Sequence, residues 1–418
     1  MSESNAYSAI EAVWRIESAR LIAGLTRMVR DVGLAEDFAQ EALVAALERW
    51  PKTGVPDNPG AWLMTTAKHR AIDFFRKKAL HQRKEEEIVH ELESRAEDKA
   101  EREEAVGNDD FGDDLLRLVF ISCHPVLPPE ARVALTLRLV GGLTTPEIAR
   151  AFLVPEPTLD QRIVRAKKTL SEAQVPFEVP RKEELPGRLS SVLEVIYLIF
   201  NEGYSATSGG DWVRPALCED ALRLGRMLQG LAPEEPEVHG LAALMEIQAS
   251  RLNARVGQGG EPILLLEQNR ALWDHALIRQ GLAALEKAEK LGNGEGSYTL
   301  QAAIAACHAR AKTAAETDWK RIASLYDELA QLTPSPIIDL NRAVALSMAF
   351  GPAVGLELID KLVAEPALKN YHLLPSVRGD LLAKLGRLEE ARSEMQRAAS
   401  LTQNEQEKKL LLKRAAAL

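Results

Sequence analysis

The chain has 418 residues, 46% hydrophobic and 27% charged, enough apolar material for several cores and a length that implies two or three domains. Aromatics supply only 5% while Ala and Leu dominate, which favours helices over sheets. No apolar run is long enough to span a bilayer and no signal-peptide pattern opens the chain, so membrane and secreted classes are excluded and a cytoplasmic protein is expected.

Cys123, Cys218 and Cys307 lie far apart without a CxxC pair, as free thiols in a reducing compartment do. The formal net charge of −9 argues against nucleic acid until the charges are located. Residues 1–84 carry a net +3, residues 85–114 a net −11, residues 115–176 a net +3 and the remainder −4. Acidity is concentrated in a linker and a tail, leaving two mildly basic segments as candidate DNA binders.

Tyr7–Val32 places Ile10, Val13, Trp14, Ile16, Leu21, Ile22, Leu25 and Val29 at helical spacing. Ala35–Trp50 reads as a second amphipathic helix, with Phe38, Ala42, Leu43, Ala46 and Leu47 inward and Asp37, Gln40, Glu41 and Glu48 outward. A Pro/Gly loop then leads into Pro59–Lys78, whose apolar sector is Leu63, Met64, Ala67, Ala71, Phe74 and Phe75. Its other face gathers Trp62, Thr65, Thr66, His69, Asp73 and Arg76 and closes on Arg76-Lys77-Lys78. Cations bind phosphates and aromatics stack on unpaired bases, so this face suits a single strand. An ordinary surface helix with Trp62 packed on a neighbour fits the same pattern.

These two blocks resemble region 2 of the compact extracytoplasmic-function (ECF) sigma factors of bacterial RNA polymerase. The first is carried by Ala35, Glu36, Asp37, Gln40 and Glu41, the second by Pro59, Trp62, Leu63, Ala67, Ala71, Ile72, Asp73 and Arg76. The resemblance implies docking on core polymerase through Asp37, Gln40 and Glu41. It also implies capture of the melted minus-ten strand by Trp62, His69, Arg70, Arg76 and Lys77. His69 stands where the family often has Asn.

Glu85–Asp114 has few apolar positions and reads as an acidic tether, flexible or partly helical. A solvated spacer is the simpler reading; the resemblance adds a mimic of nucleic acid near the polymerase cleft. Leu115–Ala173 then forms a second helical unit. Pro128-Pro129-Glu130 opens a helix that stops at Gly141-Gly142, and Thr144 or Thr145 caps a short one. After the turn at Val154-Pro155-Glu156, a longer helix runs from Pro157 to about Leu170 on a stripe of Leu159, Ile163, Ala166 and Leu170.

Two short helices joined tightly, the second basic, describe a helix-turn-helix. The outward residues of the second are Thr158, Gln161, Arg162, Val164, Arg165 and Lys168, types that read base edges or hold phosphates. The segment is similar to ECF region 4 at Gly142, Leu143, Glu147, Ile148, Ala149, Val154, Glu156, Thr158, Arg162, Arg165, Ala166 and Lys167, which implies contact with the minus-thirty-five element. Pro157 and Asp160 depart from the family pattern.

Residues 177–189, with Pro180 and Pro186, read as a hinge. Leu189–Phe200 reads as a buried helix, and Asn201–Trp212 as a Gly/Ser loop without the ending of a phosphate loop. Farther on, Gly379, Leu382, Gly386, Leu388, Ala391, Met395, Ala398 and Leu401 sit at the spacing of a tetratricopeptide helix pair, and Trp319–Leu332 is an earlier second helix on the same grid. Stacked pairs form a curved solenoid whose concave face takes a peptide or protein ligand. With Val195–Tyr204 and Val377–Leu385, this resembles the ECF subgroup whose C-terminal tetratricopeptide-like extension is thought to regulate the factor.

The expected architecture is therefore all-α: region 2 (1–84), an acidic linker (85–114), region 4 (115–176), the hinge (177–189) and a helical-repeat regulatory domain (190–418). Core RNA polymerase and promoter DNA are the expected partners, with no membrane, no metal and no cofactor. A stand-alone helix-turn-helix regulator with a sensor domain is the alternative, although it leaves Ala35–Lys78 without a task. His239, His275, His308 and His372 are scattered without carboxylate pairs or nucleophiles, so no enzyme is expected.

Overall fold

The computed structural model describes residues 3–81, 109–152, 154–181, 183–206, 208–257 and 259–418; the acidic stretch 85–108 lies outside the described residues. The chain divides into two compact units, Met1–Val195 and Ile196–Leu418.

In the first unit α1 (Glu3–Val29), α2 (Val32–Thr53) and α3 (Pro59–His81) pack on one another, and α4 (Asp109–Ser122) lies against α1. Asp31 opens α2 by accepting a hydrogen bond from the Leu34 N–H at 2.9 Å, satisfying one of the free amides of the first turn. The seam is rich in alanine, Ala35, Ala39, Ala42 and Ala46 on α2 against Leu63, Ala67 and Ala71 on α3, all buried. Small residues allow close helix approach, and the larger Phe38, Trp50 and Phe75 fill the rest.

Three residues expected inside face outward: Ile16 is 66% exposed, Leu47 36% and Phe74 38%. On α3 the buried sector is turned toward Ile72, which with Phe75 packs on Met28, Val29 and Leu34. Phe74 is left at the rim, its ring edge-on to those of Phe38 and Phe75 at 5.5 and 5.4 Å. The acidic linker also ends earlier than its composition suggests. Residues from Asp109 onward belong to α4, and Asp114 is buried with Arg117 at 2.7 Å and Arg27 at 3.3 Å.

Next come α5 (Pro129–Leu139), α6 (Thr145–Phe152) and α7 (Glu156–Glu172). Gly142 turns the chain at φ +71, a left-handed conformation that suits glycine. The hinge is shorter than its prolines imply, because α8 (Leu185–Tyr204) begins inside it and holds Pro186 in its first turn. The opening of α8 belongs to the first unit and packs within it. Arg188 donates to the Phe120 carbonyl at 2.7 Å, Ser191 donates to the Cys123 carbonyl at 2.7 Å, and Arg132 reaches Ser191 at 2.5 Å and Glu194 at 3.1 Å.

The second unit begins partway along α8 and continues through α9 (Pro215–Leu231), α10 (Pro236–Ala249), α11 (His275–Gly292), α12 (Ser297–Arg310), α13 (Trp319–Leu332), α14 (Pro336–Phe350), α15 (Pro352–Leu362), α16 (Leu373–Lys384), α17 (Leu388–Leu401) and α18 (Glu405–Ala416). From α9 onward each helix packs on the next, α10 and α11 included, although an irregular stretch connects those two. At the crossing of α16 and α17, a Cβ on Gly379 would lie 3.1 Å from the Ala391 carbonyl oxygen, so glycine sets how closely that hairpin closes.

The row of hairpins does not end freely. β1 (Ser208–Gly209) and β2 (Gln403–Asn404) pair in parallel, tying the start of the unit to its last hairpin. Asn404, 1% exposed, donates through Nδ2 to the Ala206 and Asp211 carbonyls at 3.0 and 2.8 Å, while its Oδ1 accepts from the Gln406 and Glu407 amides and caps α18. Tyr197, in the second half of α8, meets the Tyr298 ring edge-on at 5.4 Å and donates to Gln301. Its phenol also lies near enough to Tyr326 and Tyr371 that, besides burial, it helps push their hydroxyls up, that of Tyr326 to about 12.

Candidate nucleic-acid and polymerase interface

The turn before α3 is tied by Asn58, whose side chain accepts from Ala61 and whose carbonyl accepts from the Trp62 N–H. That anchoring fixes where Trp62 emerges. Its ring is half-buried, edge-on to the buried Trp50 at 5.3 Å, and the rest stays accessible. Beyond it His69, Arg70, Arg76 and Lys77 are exposed. Trp62, His69 and Arg76 recur every seven residues, two helical turns, and so form one stripe about 21 Å long at ~1.5 Å per residue. The residues the sequence assigns to strand capture thus do share one accessible side of α3.

On α2, Asp37 and Glu41 are exposed and Gln40 is half-buried. Arg70 lies 3.6 Å from Glu41, an exposed pair of small energetic weight. α6 opens on a capping box: Glu147 Oε2 accepts from the Thr144 N–H and hydroxyl, both at 2.7 Å, and the Thr144 hydroxyl accepts from the Glu147 amide. Thr144→Ala should therefore lower stability by about 1 kcal/mol, read as a shifted denaturant midpoint.

On α7 the expected stripe Leu159, Ile163, Ala166 and Leu170 is buried. Thr158, Gln161, Val164, Arg165 and Lys168 are exposed and Arg162 is half-buried. Val164 is 62% exposed on an otherwise polar face, an apolar group available for a thymine methyl. Lys168 lies 3.5 Å from Glu172 in an exposed pair that yields readily to a phosphate.

The feature that sequence reasoning missed joins these two groups. Glu36, 2% exposed on α2, takes Lys167 of α7 at 2.5 Å, Arg138 of α5 at 2.6 Å and the neighbouring Gln40 amide at 2.6 Å. Ser171 of α7 adds a hydrogen bond to Asp31 at 3.1 Å. Burial alone would raise the Glu36 carboxyl, but Lys167 and Arg138 outweigh it and hold it below the usual carboxylate range. A signal was present: Glu36 falls in the same sector as Val32, Ala35 and Ala39, where a carboxylate needs a partner.

Cys123 is packed rather than reactive, its thiol pushed up to about 11 by burial, and burial with nearby Arg188 lowers His124 to about 4. Among the described residues no group of His, Cys, Asp or Glu could hold a metal ion, and no helix is long and apolar enough to cross a membrane.

Residues 16–80 match the family described as Sigma-70 region 2, residues 117–170 match Sigma-70, region 4, and residues 188–289 match a family of unknown function, DUF6596. The uncharacterized protein R00370 of Rhizobium meliloti (strain 1021) is 42% identical over 384 residues, 92% of this chain and 89% of that protein. A probable ECF RNA polymerase sigma factor, SigI, of Mycobacterium tuberculosis is 28% identical over 174 residues, 41% of this chain and 57% of the relative.

Proposed function

From the membership of this chain in the ECF-type sigma factors, with an extra C-terminal domain, we propose a division of labour among its helices. As a sigma factor it is a non-enzymatic subunit that binds core RNA polymerase and promoter DNA to start transcription. Asp37, Gln40 and Glu41 hold polymerase. The stripe from Trp62 to Lys77 holds the melted minus-ten strand. Thr158, Gln161, Arg162, Val164, Arg165 and Lys168 read the minus-thirty-five duplex. The observation that carries this reading is the exposure of the cationic and aromatic α3 stripe beside the exposed acids of α2.

Reconstituted transcription with core polymerase tests it. Arg165→Ala should reduce promoter-specific initiation about tenfold or more while polymerase binding is kept, since a bidentate base contact carries ~1–3 kcal/mol of discrimination. Asp37→Ala with Gln40→Ala should instead weaken polymerase binding and spare binding of the upstream duplex. Equal loss of both activities in either variant overturns the assignment.

The Glu36 junction adds a requirement. α3 and α7 both pack on α2, so their axes lie within roughly 20 Å at ~8–10 Å per helix contact. Promoter elements about 25 base pairs apart are separated by roughly 85 Å at ~3.4 Å per pair. The arrangement closed by Glu36 is then a resting form, and loading on polymerase and promoter breaks it. The second unit governs this step in the cytoplasm, with a peptide or protein segment as its partner. Ending the chain after Tyr204 keeps the part of α8 that covers Phe120 and Cys123, and should change promoter activity in either direction; unchanged activity and inducibility overturn the regulatory role.

A further inference from the structure

Between α10 and α11 the chain gathers positive charge without neutralising it. Arg251, 7% exposed, stands over the rings of Tyr204 and Trp273 at 5.7 and 5.9 Å. Arg255 stands over Tyr204 at 3.7 Å and over Trp212 at 5.6 Å. Arg270 stands over Trp273 at 4.7 Å. Among the described residues none of the three forms an ion pair.

Their hydrogen bonds are equally telling. Arg270 donates to the His308 and Ala311 carbonyls at 2.6 Å and to the Thr317 hydroxyl at 3.3 Å, and Arg255 donates to the Tyr204 carbonyl at 3.0 Å. The Arg251 guanidinium donates to no described residue, and its Nε is buried without a partner. The Arg255 Nε, the Trp273 indole N–H and the His308 Nδ1 are also buried and unpartnered. Aromatic faces attract a cation but do not cancel its charge, and they accept nothing in the plane of its N–H groups.

The cations of the cluster repel one another. Burial and Arg251 lower both Arg255 and Arg270, while Glu316 acts on Arg270 in the opposite sense without reaching ion-pair distance. Burial, with Arg251 and Arg270, lowers His308 to about 4, which keeps that ring neutral. A buried cation ordinarily takes a carboxylate partner, because an unpaired one is strongly destabilising. The second unit has carboxylates elsewhere, as in the pair of Arg214 and Glu202 at 2.5 Å, and among the described residues brings none within ion-pair distance of these three.

We propose that Arg251, flanked by Arg255 and Arg270, is the anchor of a binding site for a small oxyanion, a phosphate or carboxylate carried by a soluble metabolite. The in-plane fork of Arg251 matches two oxygens of such a group. The indole N–H of Trp273, whose ring lies under Arg251 and Arg270, is likewise buried without a described partner. This site would make the second unit a sensor of a charged small molecule, distinct from any protein segment it receives.

The test uses the full chain and its tryptophan fluorescence and melting temperature, titrated with sodium phosphate and, separately, sodium citrate against sodium chloride at matched ionic strength. A saturable response to phosphate, citrate or both is expected, and the responding salt identifies the head group. Arg251→Gln should reduce the apparent affinity at least tenfold while leaving the chloride melting temperature unchanged or higher, because it relieves repulsion. Arg251→Lys, which keeps the charge and loses the fork, should reduce affinity by a smaller factor. Arg387→Gln, at the exposed pair with Glu390, should leave the response as it is. No saturable response in the unaltered protein, or one that survives both Arg251 variants, overturns the proposal. A melting temperature that falls in Arg251→Gln with the anion response intact marks a packing residue and overturns it as well.

Discussion

Glu36→Gln is expected to loosen the junction between α2 and the helix-turn-helix by about 3 kcal/mol, the low end for breaking a buried ion pair because both cations keep some solvent. That amounts to roughly a hundredfold shift toward separated modules. Gln has the same shape, so the loss is one of charge: Lys167 and Arg138 keep their mutual repulsion and lose the group that held them. Distances between spin labels at Glu48 and Glu172 should broaden and lengthen in the variant; an unchanged distribution overturns the latch. Because Glu36 neighbours the residues proposed to dock on polymerase, Arg138→Met should repeat the result from the opposite side of the junction.

The same pair fixes a pH dependence. The carboxyl is held below its ordinary range in the folded protein, so its contribution is fully present above the unfolded value of about 4.3 and is lost as pH falls through the lower folded value. Label separation in the unaltered protein should therefore increase only on acidification below about pH 4.3, and Glu36→Gln should lack that contribution.

The second large effect is expected at Asn404. Alanine there removes the cap of α18 and leaves the Ala206 and Asp211 carbonyls without their donor, a combined loss of about 4 kcal/mol. Over a unit of this length that corresponds to a melting temperature lower by roughly 10 °C. Asn404→Asp separates the two roles. It keeps the capping oxygen but turns the two donor positions toward repulsion, so it should be no more stable than the alanine variant. A loss under about 1 kcal/mol for Asn404→Ala contradicts the clasp.

Local periodicity made much of this legible. The stripe Leu159, Ile163, Ala166 and Leu170 is buried as the spacing of α7 requires, and Trp319–Leu332 is a helix over the range its pattern marks. The accessible stripe of α3 followed from the same rule, because residues two turns apart share a side whatever the rest of the protein does. Phe74 and Leu47 broke the rule because the buried sector depends on which neighbour each helix meets, and Ile72 met one. What stayed hidden depends on pairing across long separations. Glu36 is 131 positions from Lys167, and Asn404 is 198 from Ala206, distances over which no repeat in the sequence points from one residue to its partner.

The tie between residues 206–211 and Asn404 also sets an order of events during synthesis. An open array of hairpins can fold one pair at a time as it leaves the ribosome, whereas a closed one waits for its last contact. At roughly 5–20 residues per second, the ribosome needs about 10–40 s to travel from Ala206 to Asn404. Through that interval the helices of the first unit are already made while the second unit still lacks its closing strand. Every new molecule thus passes through a brief youth in which its first unit is complete and its second is not yet closed.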